Sequence, residues 1–428
     1  PTRRSSDLCP MKLIIHRGTN QIGGSVTEYE HNGWRLFVDF GEQLPGSVAS
    51  EPLDINGLTK GNLSKSAMLI THYHGDHIGN IHLLPDTVPV FMGKLGLEIQ
   101  KITSNHLKGV DEIQARLFER LEKVTPFEAG VSFAFGPFKV MPIIIDHSAF
   151  DACAFKIETE DATVFHTGDF RTHGFRSGRL REVIDKYIRK VDYVICEGTN
   201  VKRPDATSQS EHDLQKQLEK EFQRYKYNIV YLSSTNIDRL FSIYHAALRM
   251  GIPFIIDSHQ KRIMDVVANS SHVWAKSSLY KYGKYEPVVL MYNKKNPKEF
   301  LISERLMSFL QEKGYILIAR NNPRFYHFIN KIPGAPKQYY LSMWNGYVND
   351  PTSPSYNKEL ATALGKEYLY RHTSGHCDMK NLSTLFTWLS PKAIIPIHTD
   401  APEEFAKYFN NQWRIDLLQD GDSFTLHS

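Results

Sequence analysis

A dense run of metal-binding residue types follows the apolar segment 67–71. It reads His72-Tyr73-His74-Gly75-Asp76-His77, so four of six consecutive side chains are imidazoles or a carboxylate. Neutral imidazole and carboxylate suit zinc and similar divalent cations. A turn that contains three histidines and an aspartate has no packing rationale, and the run therefore predicts a metal site.

Three later apolar segments also end in potential ligands. They lead into Asp146-His147, His166-Thr167-Gly168-Asp169 and Ile397-His398. A carboxylate such as Asp169 can bridge two cations about 3.5–4 Å apart, the separation that clamps a water and a phosphoryl group together. His166, His173 and Asp146 have weaker claims, because near neighbours of ligands more often orient them or lie at the surface.

Composition describes an ordinary globular chain. The 428 residues, 41% hydrophobic and 23% charged, suggest two or three domains. No apolar run approaches the ~18 residues of a membrane span, and no signal peptide is evident, so we expect a cytoplasmic protein without membrane contact. Four cysteines without C-x-x-C spacing argue against a zinc ribbon or a disulfide framework. A net charge of +4 permits nucleic-acid binding without indicating it.

The first ten residues need separate treatment. Residues 1–8 resemble the in-frame translation of a short-read sequencing adapter, so we expect a non-native leader over residues 1–10 and a true start at Met11. The leader is therefore left out of the fold prediction.

The rest of the chain shows two sequence rhythms. Residues 11–202 alternate short β-rich runs with turns, and this pattern returns in 365–428, which includes a predicted strand at 368–370. Residues 203–364 alternate helix and strand, which predicts parallel βα units. We therefore expect one domain, in two parts, with a second domain inserted into it.

The ligand-rich segments resemble a known family. In order and strand context, Asp39, the 72–77 run, His147, Asp169 and His398 resemble the five motifs of the metallo-β-lactamase fold. The resemblance implies an α/β fold, the αββα sandwich, with two zinc ions per chain, or manganese in their place. It implies that Asp39 supports the site without ligating it. By the same resemblance one metal takes His72, His74, His147 and Asp169, and the other takes Asp76, His77, Asp169 and His398.

The inserted domain narrows the resemblance. Segments 194–200, 372–376 and 395–398 look like motifs A, B and C of the β-CASP nucleases, which carry an inserted α/β β-CASP domain between A and B. Segments 197–204 and 233–239 look like the RNase J branch. The implied function is a zinc-dependent ribonuclease that hydrolyses single-stranded RNA and leaves 5′-phosphate and 3′-hydroxyl ends.

The implied chemistry assigns catalytic roles. Two cations lower the pKa of a shared water, so that hydroxide attacks phosphorus. His376 is the predicted general acid, and Glu197 would orient its ring and raise its pKa. Together with Asp76 these are the predicted catalytic residues.

Further residues are predicted to contact substrate. A Gly backbone and a Ser hydroxyl can approach a phosphate, and so can side chains at a helix N-terminus, although the latter equally suit capping or a surface charge. Asp238 stands where the branch more often has histidine, which predicts a mild preference for a 5′-monophosphate. The predicted substrate contacts are Ser234, Asn236, Arg239, His372, Ser374 and Gly375.

Three other functions stay open. A DNA nuclease of the same family tends to have valine at the position of His398. A small-molecule hydrolase would not need the long inserted domain. An inactive RNA-binding scaffold would have lost metal ligands, and every ligand position is intact here. The balance between exonuclease and endonuclease activity and the oligomeric state are not decided by the sequence.

Overall fold

The computed structural model describes residues 10–47, 53–205, 207–296 and 298–428, so residues 1–9 of the expected leader lie outside the described residues. The chain forms two compact units. The first contains the described residues up to Thr207 together with Gly375–Ser428, and the second is Ser208–Ser374.

Strands make up three sheets, two in the first unit and one in the second. The described strands are β1 Lys12–Arg17, β2 Val26–His31, β3 Trp34–Val38, β4 Ser66–Ile70, β5 Val90–Gly93, β6 Thr125–Phe127, β7 Phe133–Phe135, β8 Phe138–Ile144, β9 Cys153–Glu158, β10 Thr163–His166, β11 Tyr193–Glu197, β12 Tyr227–Tyr231, β13 Phe254–Asp257, β14 Val288–Tyr292, β15 Phe300–Leu301, β16 Tyr315–Ala319, β17 Gln338–Leu341, β18 Tyr368–Tyr370, β19 Ala393–Ile397 and β20 Ser423–Thr425.

Helices connect many of these strands, and none in the described part of the chain is long and apolar enough to cross a bilayer. The described α-helices are α1 Gly75–Ile78, α2 Lys94–Leu107, α3 Glu112–Leu121, α4 Leu180–Val183, α5 Glu211–Phe222, α6 Ile237–Met250, α7 Ser258–Ala268, α8 Glu304–Lys313, α9 Pro323–Lys331, α10 Gly346–Asn349, α11 Lys358–Leu364, α12 Met379–Leu389 and α13 Pro402–Phe409.

The first unit is a sandwich of two sheets. One runs in the order β20-β1-β2-β3-β4-β5-β6 and the other in the order β19-β11-β10-β9-β8-β7. Side chains such as Leu36 and Leu69 of the first sheet share a buried core with Phe155 and Ile195 of the second, and each such side chain contributes about 1.5–3 kcal/mol when it leaves water.

Helices cover the outer faces of this sandwich. On the second sheet, Leu382 and Phe386 of α12 share a core with Ile394 of β19, and on the first sheet α2 packs against β5 and β6. The predicted α/β fold class, an αββα sandwich with an inserted α/β domain, is confirmed.

The strand order brings the polar strand ends of the second sheet together. β10 pairs in parallel with β11, and β11 pairs in parallel with β19, so their carboxyl ends lie at one edge of the sheet. Asp169, Glu197 and His398 stand at or just after these ends. The topology therefore gathers residues that are more than 200 positions apart in the chain.

The second unit holds a sheet in the order β15-β14-β13-β16-β12-β17-β18, in which all the pairings except that of β15 are parallel. Its core includes Ile229, Leu317 and Phe328. The sequence analysis assigned the strand at 368–370 to the first domain, and its pairing with β17 corrects this assignment. A three-residue strand carries too little pattern to indicate which sheet it joins.

Candidate metal centre

The turn after β4 and the end of the loop after β8 bring three imidazoles together. His72 Nε2 lies 3.0 Å from His74 Nδ1, and His147 Nε2 lies 3.2 Å from the same atom. His72 and His147 are buried and His74 is partly so. The three histidines predicted to bind the first metal therefore form one group of ring nitrogens.

The protonation of His147 shows that this group fits a cation. Its Nδ1 lies 2.6 Å from the carbonyl oxygen of Gly375, which can only accept, so Nδ1 carries a proton. Burial lowers the pKa of His147 well below its usual value, and the pKa of His74 to about 4, so both rings are neutral at pH 7. His147 Nε2 therefore points a lone pair into the group, where a divalent metal would be held.

A second group forms beside it. His398 Nε2 lies 3.2 Å from Asp76 Oδ2, and His77 Nε2 lies 3.8 Å from the same oxygen. Burial lowers the pKa of His77, but the carboxylates of Asp169, Asp76 and Asp39 outweigh it and raise that pKa well above its usual value. The surrounding carboxylates thus favour positive charge at this position, which a proton supplies here and a metal ion would supply when bound.

Asp169 lies between the two groups. Its Oδ2 is 3.1 Å from His77 Nε2 and 3.9 Å from His72 Nε2, so one oxygen faces a member of each group. Its Oδ1 is buried and has no hydrogen-bond partner among the described residues. Burial raises the pKa of Asp169, but the neighbouring imidazoles, His398 first, hold it well below the usual range. A buried, charged and incompletely satisfied carboxylate suits a bridge between two cations.

Asp39 lies behind the second group. Its Oδ2 is 2.7 Å from His77 Nδ1, and its two oxygens accept hydrogen bonds from the backbone N–H and the hydroxyl of Thr71, both at 2.8 Å. A carboxylate on the far nitrogen fixes the ring orientation and the tautomer of a ligating histidine. Asp39 is placed to position His77 and the turn, outside both ligand groups.

Glu197 and His376 form a pair next to Asp169. Glu197 Oε2 lies 3.3 Å from His376 Nδ1, while Glu197 also accepts hydrogen bonds from the backbone N–H groups of Thr199 and Cys377. Burial lowers the pKa of His376, but Glu197 and then Asp169 raise it to about 9. The Glu197 side chain is 1% exposed and that of His376 is 23% exposed, so the imidazole is held from the buried side and partly open on the other.

Two buried arginines support the segment that carries His147, and sequence reasoning missed both. Arg171 Nε donates to Asp146 Oδ1 at 2.9 Å, and the backbone N–H of Arg176 donates to Asp146 Oδ2 at 2.8 Å. Arg176 also donates to the carbonyl oxygen of His147. Both carboxylate oxygens of Asp146 therefore accept hydrogen bonds from these two arginines. No local motif marks these arginines, because loop folding alone brings them to Asp146.

His166 lies outside the ligand groups. Its Nδ1 is 2.9 Å from the hydroxyl of Tyr29, and burial lowers its pKa to about 3. The ring is therefore a neutral, packed neighbour of the centre.

Gly375, a predicted phosphate contact, belongs to the support of the metal centre through its carbonyl oxygen on His147. A Cβ at this position would lie 2.8 Å from Ser148 Oγ and 3.1 Å from His147 Cε1. Glycine is required here because backbone and imidazole approach so closely.

Arg239 has a different place from the predicted one. Its guanidinium is fully buried and donates to both carboxylate oxygens of Glu211, at 3.0 and 2.9 Å, as well as to Ser342. The prediction of a phosphate contact is corrected, since this fork of donors is already used inside the second unit.

The neighbours of Arg239 are capping and buried residues. Asn236 caps α6 by accepting from the backbone N–H of Arg239 at 3.2 Å. Ser234 is nearly buried, and its hydroxyl has no hydrogen-bond partner among the described residues. Asp238 is buried and accepts from the hydroxyl of Tyr280 at 2.7 Å. The mild preference for a 5′-monophosphate stays a prediction.

His372 and Ser374 lie in the half-buried segment after β18, where the hydroxyl of the intervening Thr373 donates to the carbonyl oxygen of Gln209 at 2.6 Å. They end the second unit, directly before Gly375 and His376 of the first. Their contact with substrate stays a prediction.

Comparison with known proteins agrees with these features. The chain is 24% identical to ribonuclease J of Sinorhizobium meliloti, over 90% of this chain and 68% of that one. It is 23% identical to ribonuclease J of Thermus thermophilus, over 95% of this chain and 71% of that one. It is 26% identical to ribonuclease J of Mycobacterium tuberculosis, over 56% of this chain and 43% of that one.

Structural similarity extends over nearly the whole chain. A crystal structure of a protein of unknown function from Enterococcus faecalis matches 98% of this chain and 100% of its own, with a TM-score of 0.73 and 18% identity. No family model matches the chain. The fold, the order of the site residues and the ribonuclease J relatives together support the expected resemblance to the RNase J-like branch of the β-CASP family.

Proposed function

We propose that this chain is a metal-dependent ribonuclease, which hydrolyses phosphodiester bonds of single-stranded RNA at a dinuclear zinc centre. The observation that carries the proposal is Asp169, a buried carboxylate with one oxygen between the two ligand groups and the other without a hydrogen-bond partner among the described residues. One metal would be held by His72, His74, His147 and Asp169, and the other by Asp76, His77, Asp169 and His398.

When bound, two divalent cations would lower the pKa of a water toward neutrality and neutralise charge on the phosphoryl oxygens. Asp76 is the more solvent-facing carboxylate of the centre, since its side chain is 14% exposed and that of Asp169 is 2% exposed. Its carboxylate would accept a hydrogen bond from the attacking water and orient it toward phosphorus.

His376 would protonate the leaving group. As the bond between phosphorus and the 3′ oxygen breaks, that oxygen takes the proton of the imidazolium, which leaves a 3′-hydroxyl end and a 5′-phosphate end. Glu197 faces Nδ1, so the ring presents its other nitrogen to the substrate side. The Glu197 carboxylate raises the pKa of the ring, which favours the protonated state that a general acid needs.

The choice of RNA rests on the ribonuclease J relatives and on His398, the motif C histidine. The test uses one sequence as RNA and as DNA, each with a 5′-monophosphate, hydroxyl or triphosphate and a label at either end, with zinc or manganese added.

RNA should be cleaved faster than DNA and should yield 5′-phosphate ends, and His398→Ala should abolish cleavage of both. Faster cleavage of DNA would make the chain a DNA nuclease. Cleavage that survives chelation of the metal would overturn the two-metal mechanism.

A further inference from the structure

The second unit presents an aromatic pair that the proposed chemistry does not use. Trp344 and Tyr347 are 49% and 40% exposed, and their rings pack edge to face with centroids 5.4 Å apart. The chain has five tryptophans, and the other four are partly covered by protein. Apolar side chains that are exposed singly are common, whereas adjacent exposed rings form a patch that a flat ligand can cover.

The Trp344 ring is held in place. A Cβ built on Gly346 would overlap the indole, so the ring folds over this glycine and could not do so over any other residue. The backbone N–H of Asn357 donates to the carbonyl oxygen of Tyr347 at 2.8 Å, which ties down the short helix α10 that carries Tyr347 and directly follows the Trp344 segment. A fixed ring loses little entropy when a flat ligand stacks on it.

The root of this loop is anchored by buried polar contacts. Ser342, directly after β17, donates to the carbonyl oxygen of Arg371 at 2.6 Å and accepts from Arg239. Arg239, placed by the sequence analysis at a phosphate, thus connects the loop to Glu211 in the core.

The pair lies at the end of the sheet where open α/β proteins bind ligands. Trp344 follows the carboxyl end of β17, and a third exposed ring, Tyr370, stands at the carboxyl end of the neighbouring β18, opposite Leu341. Ligands of parallel α/β sheets bind beyond the carboxyl ends of the strands. The nearby acid, Asp350, turns back on its own loop, where it accepts hydrogen bonds from Thr352.

We infer that Trp344 and Tyr347 form a base-stacking platform for single-stranded RNA, which binds bases without reading their sequence. Every base has a π-face, and stacking on an aromatic side chain stabilises binding of any of them. The choice of RNA as the strand rests on the proposed function. The stacking itself rests on the exposure, the fixed orientation and the position of the two rings.

The test measures RNA binding by the full chain in the presence of a chelator, so that no strand is cleaved. Trp344→Ala should weaken binding of a single-stranded RNA about 5- to 150-fold, the effect of losing one stacked base. Binding of a strand of equal length and charge, whose bases are replaced by abasic tetrahydrofuran units, should stay the same. Trp344→Phe should restore most of the affinity, and RNA should quench native tryptophan fluorescence more than that of Trp344→Phe.

Tyr285→Ala is the matched control. Tyr285 is 58% exposed and precedes β14, at the opposite, amino edge of the same sheet, so its loss should leave RNA affinity unchanged. Equal affinity of Trp344→Ala and the native chain, as expected if the rings instead cover a protein, would overturn the inference. If Trp344→Ala lost as much affinity for the abasic strand as for RNA, the inference would also be overturned.

Cleavage separates this inference from the proposed function. If the native chain cleaves RNA and Trp344→Ala binds RNA as tightly as the native chain, the stacking platform is contradicted and the proposed function is not. A native chain that neither binds nor cleaves RNA with any added metal would contradict both.

Discussion

His147 and Gly375 are joined by a hydrogen bond of 2.6 Å between Nδ1 and the carbonyl oxygen, although 228 positions separate them in the chain. The bond ties a ligand of the candidate metal centre to the residue directly before His376, the proposed general acid. The proposed metal ligand His147 and the proposed general acid His376 therefore share one support. This relationship leads to the first prediction.

Gly375→Ala should weaken metal binding without unfolding the first unit. The new Cβ would lie 2.8 Å from Ser148 Oγ and 3.1 Å from His147 Cε1, so the imidazole must move. Loss of a contact that orients a ligand typically costs about 10–100-fold in metal affinity. Elemental analysis after dialysis at graded free zinc concentrations measures the effect.

Two further variants test the cause. Ser148→Ala in the Gly375→Ala background removes the nearer clash and should recover part of the affinity. Gly178→Ala is the control, because a Cβ there meets nothing within 4 Å. If Gly375→Ala bound zinc as tightly as the native chain, the hydrogen bond to His147 would have no part in metal affinity.

Asp169→Asn should lose both metals. The amide keeps the size of the side chain but removes the charge that faces both ligand groups. We expect close to two zinc ions per native chain at saturation, and a large loss of both metal and turnover in the variant. Asp54→Asn, at a surface carboxylate that is 65% exposed, should retain both. Full zinc content in Asp169→Asn would exclude a bridging role.

The residues that form the two candidate ligand groups were predictable from sequence because each is close to the end of a buried β-run. Strands such as β4 and β19 are fully buried, so the first polar residues after them must reach the edge of a sheet. The sheet topology then brings these strand ends together. Sequence alone could not show that Gly375 supports His147, because that contact depends on the conformation of a loop far away in the chain.

Buried ion pairs were harder to foresee. Arg239 looked like a surface cation at a helix start, and nothing local indicates Glu211, its partner 28 positions earlier. Arg171 and Arg176 escaped notice for the same reason, since only the folded loops bring them to Asp146. The short strand β18 was assigned to the wrong unit because three residues fit either sheet.

Glu197→Gln should move the alkaline limb of the pH–rate profile toward lower pH. The Glu197 carboxylate raises the pKa of His376, and a general acid is active only while protonated, so the rate falls as pH rises through that pKa. Removing the negative charge lowers the pKa, and the fall then begins at lower pH. The profile of kcat with excess metal, measured from pH 6 to 10, records the shift.

His376→Ala completes this comparison. It should keep its zinc, lose roughly 10²–10⁴-fold in rate, and show no alkaline limb of this origin. Glu404→Gln, at an exposed carboxylate, should leave the profile unchanged. An unaltered alkaline limb in both Glu197→Gln and His376→Ala would assign the proton transfer to another group.

Arg239→Met should destabilise the second unit rather than weaken phosphate binding. Removal of the guanidinium leaves Glu211 buried and uncompensated, a loss of about 3–5 kcal/mol in the free energy of unfolding. Glu211→Gln combined with Arg239→Met should recover part of that loss, because the stranded charge is gone. Arg224→Ala, at an exposed arginine of the same unit, should stay within about 0.5 kcal/mol of the native chain. Urea unfolding followed by circular dichroism measures these differences, and zinc content should be the same in all variants, since every proposed ligand lies in the first unit. A phosphate-binding Arg239 would instead give Arg239→Met native stability and a reduced affinity for RNA that depends less steeply on salt.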